Sequence, residues 1–367
     1  MIRFNRCFSF FLIVLFFTVL NVDTFGQGRY LHMKGLIGTN EPVTADLVMS
    51  GNRVEGFYNN NNYGQRISIA IYGEMQTDGS IVMNDKVSDK LIFTGKFTDG
   101  KQISGMWEKN GSEEKYPFNL KEEYSGGSIP YQLFSVRSKT SLTGAKDSPM
   151  ALFESSILLP PDTMSRKVAM VLNNVMYSRL FGSEKVQEPK ILFKELETRF
   201  FNHYQTNNAD INTAENYQYL NWEKRKNMLV MFNENYITTL QFNDYAYTGG
   251  AFGLNITKYL VFDVRTGRDL KLADLFAPGF YDKLGFLITD HIKENLSIGK
   301  DDHLSGYGFF ADKIEPTGNF YINTRGIGFH YNTYEISGME TGPQDIFIPF
   351  SELNQLLANQ HPFAWLR

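Results

Sequence analysis

Between residues 28 and 122 apolar side chains recur at every second position, and turn signals break them at short intervals. Ile67, Ile69, Ile71, Gly73 and Met75 fall on one face of an extended chain, with Ser68, Ala70, Tyr72 and Glu74 on the other. Leu91, Phe93, Gly95 and Phe97 repeat the pattern, as do Ile103, Gly105 and Trp107. Ser50-Gly51-Asn52, Asp78-Gly79 and Asp99-Gly100 supply tight turns between such runs. A period of two excludes packed helices here and predicts about eight short antiparallel strands. Glycine recurs inside the strands, in Gly56-Phe57-Tyr58, Gly95-Lys96-Phe97 and Gly105-Met106-Trp107. A strand glycine lets a sheet bend sharply or lets a large neighbour sit over it. The expectation is an all-β curved antiparallel meander or small up-and-down barrel over 27–122, with a G-x-W element that resembles avidin- and lipocalin-like barrels.

The residues ahead of this region read as an address. Arg3 and Arg6 precede an apolar run from Cys7 to Leu20, broken only by Ser9 and Thr18. That run is shorter than the roughly 20 residues of a spanning helix. A basic start, a short apolar run and a small residue at Gly26 predict a secretory signal peptide over 1–26, cleaved near Gln27. The protein is then exported, to the periplasm or the exterior, and no membrane anchor is expected in the mature chain. The one cysteine, Cys7, lies inside the leader, so the mature chain has no disulfide, thiolate ligand or cysteine nucleophile.

Glu122 to Pro130 gathers Gly126, Gly127, Ser125, Ser128 and Pro130, which places a linker at 123–130. Beyond it the pattern changes, and 131–367 reads as an α+β domain with an antiparallel sheet and packed helices. Strand-like runs occupy Tyr131 to Arg137 and Ala151 to Leu159. Val168, Met170, Val171, Val175, Met176 and Leu180 form a helical stripe that stops at Gly182, and a second helix starts at Pro189 with Ile191, Leu192, Leu196 and Phe200 on one face. Strands return at Met228 to Phe232, Tyr236 to Phe242 and Lys258 to Val264, with a turn at Asn233-Glu234-Asn235. Helices follow at Leu270 to Phe276 and Tyr281 to Leu296, and then strands near 319–331 and 345–349. Ser351 is the expected cap of a last helix through Leu357.

Charge and motifs narrow the function by exclusion. With 36 Lys+Arg against 40 Asp+Glu and a net charge of -4, the chain lacks the basic excess that a nucleic-acid binder uses to neutralise phosphates. There is no G-x-S-x-G, H-E-x-x-H or phosphate loop. None of the six histidines pairs with another at metal-ligand spacing, so neither a metal nor a cofactor is expected. Asp301-Asp302-His303 reads as a solvated loop, and Asp290 and Glu294 as exposed helical charge.

Three ordered blocks carry a resemblance. The first is Tyr247-Thr248-Gly249-Gly250-Ala251-Phe252-Gly253. The second is Phe262-Asp263-Val264-Arg265-Thr266-Gly267-Arg268-Asp269-Leu270 with Leu272 to Phe276. The third is Phe329-His330-Tyr331-Asn332-Thr333-Tyr334-Glu335-Ile336, followed by Gly342-Pro343 and Ile346 to Leu353. This set resembles a bacterial extracytoplasmic domain-of-unknown-function family. Its members form the ectodomain of the lysozyme-sensing anti-sigma factor of sigma V and precede the catalytic domain of some peptidoglycan deacetylases. The chain departs from the family in having Phe252 in place of His, Thr333 in place of Pro and Ser337 in place of Ala. A role needing an imidazole after the Gly-Gly turn is therefore absent.

The resemblance implies an exported, non-catalytic binding protein of the bacterial envelope or exterior, with a protein or a cell-wall glycan as ligand. The alternative is a glycan- or peptidoglycan-acting hydrolase with an unrecognised carboxylate pair. Exposed rings on glycine-rich turns make efficient anchors. The resemblance implies that the Tyr247–Gly253 turn lies near the 332–336 segment, so Tyr247, Phe252 and Tyr334 are expected to border one concavity, with Glu335 at its polar edge. The sequence leaves the oligomeric state open.

Overall fold

The computed structural model describes residues 24–60, 68–108, 114–210 and 217–363. The expected leader lies outside them up to residue 23, and so does Ile67. Residues 24–26 lie inside β1 (Thr24–Gln27).

The alternating region closes into a barrel. Its strands are β2 (Arg29–Ile37), β3 (Glu41–Ser50), β4 (Arg53–Asn60), β5 (Ser68–Met75), β6 (Ser80–Asp85), β7 (Leu91–Thr98), β8 (Gln102–Glu108) and β9 (Lys115–Glu122). Each pairs antiparallel with the next, and β9 returns to β2. Leu31, Leu47, Ile71, Phe93, Ile103 and Trp107 fill the interior. The glycines make the closure possible. Gly95 pairs with Gly105, and a Cβ on Gly105 would stand on the Thr94 carbonyl oxygen and the Gly95 Cα. Gly56 is likewise pressed against the Asp46 carbonyl. The strands approach too closely at these points for any side chain.

The second body is built on a seven-stranded sheet in the order β1, β10 (Gln132–Ser141), β11 (Met150–Leu159), β12 (Trp222–Glu234), β13 (Ile237–Tyr247), β14 (Leu254–Asp263) and β15 (Arg268–Asp269). All its pairs are antiparallel except β11 with β12. The crossover between those two carries α1 (Arg166–Phe181) and α2 (Pro189–Asn208). A parallel pair needs such a connection. Ser165 and Gly182 flank α1, with Gly182 left-handed at its C-terminus. On α1, Met170 of the expected stripe is exposed; on α2, Leu192, Leu196 and Phe200 are buried, whereas Ile191 is exposed.

The β12–β13 hairpin turns at Asn235 and Tyr236, both with positive φ, one residue beyond the expected turn's centre. A smaller sheet of β16 (Phe320–Ile322), β17 (Gly326–Tyr331) and β18 (Gln344–Pro349) follows α3 (Leu272–Leu275) and α4 (Phe280–Asn295). The last helix, α5 (Phe350–Leu353), is a single turn whose N-cap is Pro349. Ser351 thus lies inside it and does not cap it, because the helix starts directly from the end of β18 at Phe350 and the extended residue before it is Pro349.

The barrel is locked to the sheet through a buried polar knot. Tyr30 Oη donates to Asp46 Oδ1 at 2.5 Å, and His32 Nδ1 lies 2.7 Å from the same oxygen. Asn233, fully buried on β12, donates to Tyr30 Oη (2.8 Å) and to the Ile129 carbonyl (2.8 Å), and accepts the Ile129 N–H (2.9 Å). Burial, and then Asp46, push the Tyr30 hydroxyl well above its ordinary pKa. The expected linker therefore runs against both bodies, with Ile129 and Tyr131 buried in a core shared with Tyr30, Val48 and Phe57 of the barrel. Lys34–Glu234 (2.6 Å) and Arg53–Glu154 (2.6 Å) flank the knot.

Candidate functional site

The free end of β12, β13 and β14 carries the glycine turn. Gly249 and Gly250 both take positive φ, +83° and +125°, which glycine adopts at little cost. The turn also presses on the chain before β12, since a Cβ on Gly249 would reach the Tyr219 carbonyl at 3.0 Å. Tyr247 is half-buried and donates from Oη to the Gly250 carbonyl at 3.0 Å, tying the turn to its own strand. Phe252 is 56% exposed, and Leu254, two residues on, and Tyr219, whose carbonyl lies against Gly249, are exposed as well.

Tyr334 and Glu335 sit on a second turn. The Glu335 carboxylate accepts from the Asn332 backbone N–H (3.0 Å) and from Asn332 Nδ2 (3.1 Å), and the Glu335 N–H donates to the Asn332 carbonyl. These bonds hold Tyr334 at φ +71°, a conformation unusual for a non-glycine residue, with its ring 55% exposed. The turn is anchored to β14. Asn332 Oδ1 accepts the Thr257 N–H at 2.7 Å, and Asn332 Nδ2 donates to the Thr257 carbonyl at 3.1 Å. The two turns thus share β14, with Phe252 and Leu254 at its start and Asn332 bound at Thr257. Tyr247 and Phe252 share one turn, and Tyr334 and Glu335 the other.

Strand alternation gives this end of the sheet two unlike sides. Tyr245 and Tyr247 lie on one, where Arg225 stacks on the Tyr245 ring at 5.4 Å and pairs with Glu223 at 2.5 Å. On the other side Lys224 and Lys226 both pair with Asp244. There, between α2 and the sheet, lies a cleft of about 430 Å³ that includes Ala246 of β13 and Thr248 of the glycine turn but neither Tyr334 nor Glu335. Sequence reading missed this cleft. Its signal was available, because Lys224 and Lys226 fall in the same register of β12 as the buried Trp222, Met228 and Val230.

The other motifs are accounted for locally. His303 Nδ1 lies 2.7 Å from Asp312, and Tyr307 donates to Asp302 at 3.0 Å, all on exposed chain. His291 Nε2 lies 2.9 Å from Glu352. Among the described residues no group of three or more His, Cys, Asp or Glu is placed to hold a metal ion.

Residues 273–351 match the family model described as "Protein of unknown function (DUF3298)". That span runs from α3 into α5 and holds Tyr334 and Glu335, while the Tyr247–Gly253 block precedes it. The chain is 27% identical over 184 residues to peptidoglycan-N-acetylmuramic acid deacetylase PdaC of Bacillus subtilis (strain 168). That alignment covers 50% of this chain and 38% of the relative, so the chain matches well under half of the relative's length. A crystal structure of a DUF3298 family member from Bacteroides fragilis superposes with a TM-score of 0.56 at 24% identity, covering 65% of this chain and 97% of that one. A DUF3298 family protein from Pseudomonas aeruginosa PAO1 gives a TM-score of 0.41 at 16% identity, covering 64% and 97%.

Proposed function

Taking residues 273–351 as a DUF3298 segment, we propose that the chain is an exported, non-catalytic binding protein of the bacterial envelope or exterior whose ligand is a cell-wall glycan. The observation that carries this reading is Phe252, held more than half exposed on a turn that two left-handed glycines and the Tyr247 hydroxyl fix in place. A ring presented this way stacks on a sugar face at little entropic cost. The name of the Bacillus relative, which refers to peptidoglycan, favours a glycan over a protein. Tyr247, Phe252 and Tyr334 serve as anchors in this reading, with Glu335 as the clamp of the Tyr334 turn. No described helix is long and apolar enough to cross a membrane. Export by the N-terminal leader is part of the proposal, with the mature chain starting near Gln27.

The test is a pull-down of the mature chain against insoluble cell wall and against immobilised lysozyme, with a turnover assay on the same wall fragments. Retention on cell wall without release of product supports the proposal. Retention on lysozyme alone moves the ligand to protein, and turnover replaces the binding reading with the hydrolase.

A further inference from the structure

The cleft behind the glycine turn has a charge composition that the fold does not need. Lys224 and Lys226 share one carboxylate, Asp244, and Arg199 of α2 reaches the same cleft, exposed and with no ion pair among the described residues. The acid one turn before it, Glu195, is occupied by Gln187 Nε2 at 2.9 Å. Three cations therefore face one anion. Lys226 is mostly buried, with its ammonium 5.4 Å from the Phe242 ring centroid, and burial lowers its pKa against the pull of Asp244. A desolvated, under-compensated cation is costly unless an anion arrives to pair with it. Phe153 of β11, Phe181 at the end of α1 and Leu196 and Phe200 of α2 supply apolar wall, and His203 and Thr248 complete the lining with Ala246. The volume, about 430 Å³, lies in the range of small-molecule sites.

We infer that this cleft binds a small organic acid, with its acid group held by Arg199, Lys224 and Lys226 and its ring or apolar body lying on Phe153, Phe181 and Phe200. Arginine offers a planar fork that matches a carboxylate or phosphate, and the lysines supply point charge beneath it. The aromatic walls select against a bare inorganic ion. The site stands apart from the exposed rings of the glycine turn, because neither Tyr247 nor Phe252 lines it.

Calorimetric titration of the full chain with N-acetylmuramic acid, N-acetylglucosamine and inorganic phosphate tests the inference. The first two share a sugar ring and differ in the carboxylate, and phosphate carries charge without a ring. The expected result is saturable binding of N-acetylmuramic acid, about tenfold or more tighter than either other probe, as one charge-assisted contact provides. It weakens as salt rises. Arg199→Ala weakens it by about the same factor with the melting temperature unchanged, since that side chain is exposed and unpaired. Lys226→Met also weakens binding, and it checks the pocket from the sheet side. Absence of saturable binding, equal binding of the two sugars, equal binding of phosphate, or an Arg199→Ala variant that binds like the parent overturns the inference. Because the titration uses monomers, it can succeed while the cell-wall pull-down fails, and the reverse also holds.

Discussion

Single atoms decide the outcome at several positions. Adding one methyl at Gly105 places a carbon on the Thr94 carbonyl and the Gly95 backbone, neither of which can give without opening the barrel. Gly105→Ala is expected to cost about 1–3 kcal/mol or more, read as a lower urea midpoint. Phe252→Ala, on an exposed ring, should shift stability by no more than about 0.5 kcal/mol. The buried tyrosines give a pH signature. Burial raises Tyr58, Tyr177 and Tyr204 to about 12, against an unfolded value near 10. A raised folded pKa means their contribution to stability is complete below about pH 10 and is lost as pH climbs from there towards 12. Titration of phenolate absorbance should show these three ionising only as the fold gives way. Simultaneous ionisation of all tyrosines near pH 10 in a still-folded chain would contradict their burial.

Elements were legible where one face of the chain is wet and the other dry. The barrel strands announce themselves by alternation, and α1 by its stripe and the glycine that ends it. Pairing across long distances was not legible. Nothing near Ala151 marks it as the neighbour of Trp222, because the partner is set by how α1 and α2 pack over the sheet. The candidate anchors were found from the family resemblance of their blocks together with glycine and aromatic content, but the strand that joins their two turns was not, since the link is made by Asn332 side-chain bonds to the Thr257 backbone. The cleft escaped because each contributor has an ordinary role in its own element: Arg199 as exposed helical charge, Phe153 as core and Lys226 as a strand residue. The second turn yields a clean separation of ring from backbone. Tyr334 pays for a left-handed conformation, so Tyr334→Gly should hold or raise the melting temperature, by roughly 1 kcal/mol at most, while removing the ring. A marked loss of stability in that variant would mean that the ring is packed and not presented.

At the scale of the whole molecule, barrel and sheet meet in a buried seam within one shared core. Asn233 bridges them by bonding both Tyr30 of the barrel and the Ile129 backbone of the connecting segment. Asn233→Ala leaves the buried Ile129 N–H without a partner, while Tyr30 Oη keeps Asp46 and the Ile129 carbonyl keeps the Tyr131 N–H; the loss, about 1–3 kcal/mol, should lower the midpoint of barrel and sheet together. Separate transitions for the two bodies in the parent chain would contradict the seam. The first cuts of limited proteolysis are still expected near Gly126 and Gly127, where the chain crosses from one body to the other. In the proposed reading, cleavage after Gly26 would leave only Gln27 of β1 and make β10 an open edge of the sheet. Mass spectrometry of the exported chain identifies that terminus, and an intact Met1 on membrane-bound protein would contradict export by a cleaved leader.

The central claim is that the glycine turn presents its ring to a glycan and does not use it in the core. The most direct measurement is retention of Phe252→Ala on insoluble cell wall, with its melting temperature recorded beside that of the parent chain. The account predicts retention reduced about tenfold or more at an unchanged melting temperature, as loss of an exposed aromatic anchor entails. Retention equal to the parent's, or a melting temperature that falls with it, would contradict the account.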